Sequence, residues 1–341
     1  MIFSKVFHFV IFVTLSISLN GIVNATEQEV LGGHEGWLDR MGGGIRELGM
    51  GNTGTASEEA TPAAYWNPAL LPFNRETTIG VGADMRSLDR NGGYASVQGR
   101  VAGNMGMGLG MLNRGDYNVK AYNADEVSIG TARPQSIGSY LGVGVKTSRS
   151  NSFGAAVQWY SSNMDLPSAA GNINVIGIFN LGWYKRWGQD LKTGIVIRNL
   201  GLSKNLTAGF DQTTLTAEEA AGFDHTAADF FPKTLVAAVY YTRQIKSKSY
   251  DFAAEVMDYQ LKDDLFVTDA NFHTQDFRLG VNCHWSELLS MRAGYDRGNL
   301  SAGLGYVLPW GKKHLSFDYA FLVEKGWLTV NPFAIGLRFS Y

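Results

Sequence analysis

Cysteine is all but missing from this chain. Cys283 is the single one among 341 residues, so no internal disulfide can form. An exported chain of this length without disulfides must draw its stability from a large core or from closing on itself. An excess of one charge sign is missing as well. Lys and Arg number 29 against 31 Asp and Glu, a net charge of -2, which nominates neither nucleic acid nor a polybasic membrane-binding role. Beyond residue 25 no run of about 18 apolar residues occurs, which excludes a further transmembrane helix. Catalytic signatures are missing too: there is no Gly-x-Ser-x-Gly elbow, no His-Glu-x-x-His and no Walker-type loop. His314, Ser316 and Asp318 share one strand face but stand ~6.6 Å apart per step, too far for a triad to close. Cys283 has no His or Cys cluster beside it, so no metal, cofactor or enzymatic activity is expected.

What is present is apolar and small: 45% of residues are hydrophobic, 12% aromatic, and Gly numbers 41 against 8 Pro. Residues 1–25 read as a secretory signal peptide. Lys5 supplies the positive region, Phe7 to Leu19 a short apolar stretch, and Val23-Asn24-Ala25 the small residues that place cleavage before Thr26. No cysteine stands there to carry a lipid anchor.

The rest of the chain alternates. In the last nine residues Phe333, Ile335, Leu337, Phe339 and Tyr341 point to one side of a strand, and Ala334, Gly336, Arg338 and Ser340 to the other. The same period-two pattern recurs upstream and predicts about fourteen strands, near 77–88, 94–101, 105–113, 136–147, 152–163, 173–186, 190–199, 233–244, 249–259, 274–283, 289–296, 300–308, 313–322 and 331–341. Short connections alternate with long ones at 114–135, 164–172, 200–232, 260–273 and 323–330. This asymmetry, with an even strand count, is that of a transmembrane antiparallel β-barrel of the bacterial outer membrane. A soluble sandwich or a solenoid would alternate too. Against the solenoid, no fixed repeat occurs. Against the sandwich, Trp159, Trp183, Tyr184, Tyr241, Trp285, Tyr295, Trp310 and Trp327 recur near strand ends, as interfacial girdles would. Closure pairs the last strand with residues 77–88. Tyr341 then falls at the periplasmic end, where barrel-assembly machinery would meet the segment Phe333 to Tyr341.

Residues 26–76 do not alternate. They hold Arg46-Glu47-Leu48-Gly49-Met50-Gly51-Asn52-Thr53-Gly54 and then Trp66-Asn67-Pro68-Ala69. Gly-rich, small-residue chain packs closely against a wall, and a lumen of about fourteen strands is too wide for its own side chains to fill. The segment is therefore expected to be a hatch inside a barrel formed by residues 77–341. Thr61 and Pro62 read as N-cap and first residue of a short helix, and Asn67 before Pro68 as its end.

At this motif the chain resembles the PorV/PorQ family of outer-membrane proteins, relatives of the FadL long-chain fatty-acid transporters. The resemblance is carried by Arg46, Gly49, Gly51 and Gly54, then by Trp66, Asn67, Pro68 and Ala69. It implies a fourteen-stranded barrel with an N-terminal hatch. In PorV-like members it further implies a part in type IX secretion, with exported cargo proteins as partners. Membership of the wider FadL-like group implies instead passive transport of a hydrophobic small molecule, with an early strand kinked to open a lateral gap. Met105 to Met111 is the third strand here, and one of its faces is Gly106, Gly108 and Gly110. Glycine permits bends or close approach, so this face either serves a lateral opening or makes room for the hatch. The predicted lumen face carries Asp84, Arg86, Arg100, Lys146, Lys192, Arg198, Asp251, Glu255, Arg278, Arg292, Asp318 and Arg338. Neither sign dominates, so pairing with one another and with the hatch is expected rather than ion selection. Thr216-Ala217-Glu218-Glu219 reads as a capping box in an outer loop.

Overall fold

The computed structural model describes residues 42–86, 90–116, 119–122, 127–166, 169–201, 207–210, 231–263, 270–311, 313–323 and 333–341. The expected signal peptide, Trp327 and the capping box at Thr216 lie outside these residues. The strands are β1 (Thr78–Met85), β2 (Arg90–Ala102), β3 (Met105–Asp116), β4 (Val119–Tyr122), β5 (Ser128–Ala132), β6 (Gln135–Lys146), β7 (Asn151–Leu166), β8 (Ala169–Trp187) and β9 (Leu191–Gly201). They continue with β10 (Thr207–Phe210), β11 (Lys233–Ile245), β12 (Lys248–Asp263), β13 (Ala270–His284), β14 (Leu289–Asp296), β15 (Asn299–Trp310), β16 (Lys313–Val323) and β17 (Phe333–Ser340).

Fourteen of these strands form one closed antiparallel transmembrane barrel, each paired with its neighbours in the wall. The remaining three are accessories: β4 and β5 form a separate hairpin between β3 and β6, and β10 pairs with the far part of β8. Closure joins β17 to β1, from Thr78 opposite Ser340 to Met85 opposite Phe333. Thr77 and Tyr341 extend the ladder by exchanging two backbone hydrogen bonds of 3.0 Å. The alternation explains the wall. Ile79, Val81, Leu109, Phe153, Leu279, Leu304 and Ile335 are exposed on the outside, as a barrel presents to lipid, while the alternate positions point inward.

The two ends of the barrel differ. At the turn end, where β1 begins and β17 stops, the connections are short. At the loop end long connections, as between β3 and β6, β9 and β11, and β16 and β17, alternate with short ones, the tightest of those described lying between β14 and β15. There Arg297 (φ 49) and Gly298 (φ 87) make a two-residue hairpin, the left-handed pair that matches the twist of adjoining strands. That hairpin closes level with Arg278, while β13 continues beyond it to Ala270, so the wall has a low rim on this side. The expected long connection at 164–172 is corrected, because β7 runs to Leu166 and β8 starts at Ala169. Backbone pairing carries these strands past the point where apolar alternation fades.

Inside lies the hatch, built from α1 (Ile45–Gly49), α2 (Ala63–Trp66) and a 3-10 helix over Pro68–Phe73. The expected cap is also corrected. Pro62 itself occupies the N-cap of α2, in an extended conformation, and Thr61 Oγ1 donates instead to the Glu59 carbonyl at 3.2 Å. The helix does stop before Pro68, with Asn67 extended at φ -162.

Candidate functional site

The hatch sits on a belt of inward glycines. A Cβ at Gly110 would lie 2.7 Å from Pro62 Cβ, and one at Gly108 2.6 Å from Leu71 Cδ2; at Gly106 it would strike the Leu71–Pro72 backbone. Across the barrel Gly49 lies against the Gly303 backbone. Gly51 (φ 65) is wedged against Leu279 and Tyr295 backbone, where a side chain would find neither space nor an allowed conformation. Gly54 lies against the Trp66 indole. The glycines of β3 therefore face the hatch, and β3 is paired along its length with both β2 and β6, with one bulge on the β2 side between Arg100 and Ala102.

The polar residues of the motif seat the hatch. Trp66 is fully buried and its Nε1 donates to the Gly43 carbonyl at 2.8 Å. Asn67 does three things at once. Its Oδ1 accepts from the Ala69 amide at 3.0 Å, capping the 3-10 helix that Pro68 opens, and its Nδ2 donates to the carbonyls of Thr55 (2.9 Å) and Trp183 (3.1 Å). The Ala69 carbonyl accepts from Ser152 Oγ at 2.6 Å. Arg46 is buried and bonds Glu47 and Ser57 at 3.1 Å, Tyr240 at 3.2 Å and Glu59 at 3.0 Å. The ionised partner is Glu59, whose carboxyl Arg46 holds down to about 2. Burial instead pushes the Glu47 carboxyl up to about 7, against the pull of Arg46.

Most of the predicted lumen charges become wall-to-hatch and wall-to-wall latches; Arg100 is exposed instead, and Lys146 and Lys192 lie over the rings of Phe73 and Tyr240. Glu255 accepts from the amides of Gly54 (2.7 Å) and Thr55 (2.6 Å). Arg278 donates to Asp296 at 2.8 Å and to the Asn52 carbonyl, while Asn52 Nδ2 donates to Asp296 at 2.6 Å. Arg198 reaches the Trp66 carbonyl and Arg338 the Glu59 carbonyl, each at 3.1 Å. Arg292 pairs with Asp318 at 2.6 Å, and Asp84 takes both Arg86 and Arg114. His284 and Asn282 share Asp251.

Several of these partners carry no signal in the sequence pattern: Arg114 falls in an expected loop, and Glu58, Asn52 and Asp296 on no expected charged strand face. Tyr184 is a correction: expected in the lipid girdle, it points inward and donates to Glu58, which also binds Arg186 at 2.7 Å. Burial would raise the Glu58 carboxyl, but Arg186 and its neighbours lower it. Parity was the signal that could have found it, since Trp183 and Tyr184 are adjacent and only one can face out.

Above the belt, toward the loop end, the inner wall changes character. Leu112, Tyr140, Tyr160, Ile178 and Phe231 form a buried apolar collar continuous with Tyr65 and Trp66 of the hatch. Tyr65 and Tyr140 meet edge to face at 5.4 Å, and Tyr160 and Phe231 at 4.9 Å. Val196, Val236, Met257 and Tyr259 continue it around the wall. Below the hatch, at the turn end, lies a polar vestibule of about 660 Å³ bounded by Glu58, Glu59, Arg186, Arg338 and His314. The lumen thus reads, from loop end to turn end, as apolar collar, latched hatch and charged vestibule. On β17, Phe333, Ile335 and Leu337 are exposed outside and Phe339 is half-buried; Tyr341, just past the strand, is exposed as well. Among the described residues no group of three His, Cys, Asp or Glu side chains could hold a metal.

No protein-family model matches the chain, and no curated protein matches it. Solved structures do. The Ralstonia pickettii toluene transporter TbuX is similar with a TM-score of 0.55 at 15% identity, over 89% of this chain and 98% of that one. The Pseudomonas putida toluene transporter TodX gives 0.56 at 11% identity, over 88% and 98%. A Pseudomonas aeruginosa FadL homologue gives 0.52 at 14% identity, over 88% and 98%. At these identities the likeness is one of fold: this chain shares the closed fourteen-stranded barrel of those proteins.

Proposed function

We propose that the chain is a bacterial outer-membrane barrel that passes hydrophobic small molecules inward, from the loop end toward the turn end. The observation that carries this reading is the collar. A barrel that conducts water-soluble solutes lines its lumen with polar side chains, whereas here Leu112, Ile178, Val196, Val236, Met257 and three tyrosines stand among the inward side chains above the hatch, and Ser136, Gln158 and Ser162 between them are hydrogen-bonded to that wall rather than left free. A mostly apolar lining with few polar groups is what a hydrophobic ligand requires. The toluene transporters TbuX and TodX, which share the fold, support the same class of cargo. In this reading the molecule partitions into the collar, and movement of the hatch on its glycine belt opens the way to the vestibule. Lipid surrounds the apolar outer face, and β17 is the strand that assembly machinery would engage.

The hatch motif, Arg46 to Gly54 and Trp66 to Ala69, favours a second reading through its resemblance to PorV/PorQ: a secretion-associated barrel that binds exported proteins. One deletion strain decides between them. Uptake of radiolabelled toluene by intact cells should fall, and should return with the wild-type chain but not with Ile178→Asp in the collar. Unchanged uptake would overturn the transport reading, and unchanged secretion of cargo proteins would overturn the other.

A further inference from the structure

The outside of the wall holds a hollow of about 930 Å³ that neither hatch nor lumen uses. It lies across β11 to β14, where Ala254 and Ala293 are flanked by Tyr241, Phe252, Leu279 and Tyr295. The pairing sets these side by side: Tyr241 opposite Phe252, Ala254 opposite Leu279, and Leu279 opposite Tyr295. Small side chains between large ones on an outward face leave a trough. Its volume is near the top of the range of ~300–1,000 Å³ found for ligand cavities.

The turn-end mouth of this hollow is cationic and aromatic. The β8–β9 turn closes it, tied to β11 by the Thr242 amide donating to the Asp190 carbonyl at 2.8 Å. Next to it the β11–β12 turn carries exposed Arg243 and Lys246, then Lys248. Arg243 Nη1 donates to the hydroxyl of Tyr241, itself a wall of the hollow, at 3.4 Å. Lys185 Nζ lies 3.8 Å from the ring centre of Trp187, which also lines the hollow, and Lys248 Nζ 2.9 Å from that of Trp285. The acidic groups of this rim are Asp190 and Glu287. Asp251 nearby points inward, engaged by Asn282 and His284. Three cations of one turn, Arg243, Lys246 and Lys248, therefore face two carboxylates at an otherwise apolar seat, with Lys185 on its flank over Trp187.

We propose that this hollow and its rim seat one anionic phospholipid, with the phosphate among Arg243, Lys246 and Lys248 and an acyl chain along Ala254 and Ala293. Charge complementarity selects the head and the trough selects the tail. A free phosphate would gain nothing from the trough, and a zwitterionic lipid little from the rim. The inference rests on the barrel lying in a bilayer and is independent of what the lumen carries.

The test is native mass spectrometry of the full-length protein, delipidated in neutral detergent and titrated with dioleoyl phosphatidylglycerol, dioleoyl phosphatidylcholine or inorganic phosphate. One phosphatidylglycerol should bind at least tenfold more tightly than phosphatidylcholine. Arg243→Gln with Lys246→Gln should weaken it by about fivefold for each cation removed. Ala293→Trp, which fills the trough from the lipid side, should remove the same site while leaving the charges intact. Equal binding of the two lipids overturns the proposal. So does wild-type phosphatidylglycerol binding by Ala293→Trp, or displacement of the lipid by inorganic phosphate alone. The two variants alter opposite ends of the ligand, so either one that folds, as read by heat-modifiable gel mobility, decides the matter.

Discussion

Asn67→Ala should release the hatch from the wall without unfolding the barrel. Asn67 is fully buried, and its three hydrogen bonds all go to backbone: Ala69 N–H, Thr55 carbonyl and Trp183 carbonyl, at 2.9 to 3.1 Å. Alanine leaves those three groups buried without their partner. At about 1 kcal/mol for each bond lost the hatch is destabilised by ~3 kcal/mol, roughly two orders of magnitude in its opening equilibrium. Trp183 belongs to β8, whose ladder with β7 and β9 does not involve the side chain of Asn67, so the wall keeps its own hydrogen bonds. Hydrogen exchange of the full-length protein in detergent, followed by mass spectrometry, separates the two. Peptides within 42–74 should exchange about a hundredfold faster in the variant, while peptides from β7 and β12 stay at wild-type rates. Asn67→Asp should be worse at neutral pH, because a carboxylate oxygen then faces two carbonyls, and should recover as the carboxyl is protonated. Hatch amides within twofold of wild type in Asn67→Ala would refute the latch, and equal acceleration of barrel strands would show that Asn67 serves the wall instead.

Gly110→Leu puts side chain where Pro62 already lies. It should cost the hatch about 1–3 kcal/mol by overpacking, read by the same exchange experiment; Leu109→Ala, on the outer face of the same strand, should leave hatch exchange unchanged. The burial of Glu47 makes hatch docking pH-dependent with a defined sign. Its carboxyl is raised to about 7 in the docked state from an ordinary 4.5, so docking binds a proton and must strengthen as pH falls from about 7 toward 4.5. Glu58 and Glu59 are shifted the other way and weaken docking only below that window. Protection factors corrected for intrinsic exchange should rise between pH 7.5 and 5, and Glu47→Gln should flatten the profile. Truncation before Phe339 removes the paired Phe339, Ser340 and Tyr341 from the closing seam. It should abolish the heat-modifiable folded band, and a truncated chain that still shows that band would contradict closure through β17.

Period two made the wall legible. Each of the fourteen expected strands has its counterpart in the barrel, because one face must be apolar for lipid and a strand shows that face at every second residue. What faded was everything that alternation does not encode. The segment 164–172 reads as a loop because Pro167, Ser168 and Gly171 interrupt any apolar rhythm there, yet the ladder of β7 with β8 needs only backbone. The latches are harder still to read in a sequence. Asn52 and Asp296 are 244 positions apart, and nothing in either neighbourhood specifies the other until the register of β13 with β14 and the path of the hatch are both fixed. Composition did carry one trace of that geometry. Glycines recur at inward positions of two arcs of neighbouring strands: Gly108 in β3, Gly142 in β6, Gly154 in β7, Gly182 in β8 and Gly194 in β9, then Gly280 in β13 and Gly294 in β14. Read strand by strand each weakens the wall. Read together they are the imprint of an object held against it, and Asn67, Thr55 and Gly51 are the parts of that object which fit closest.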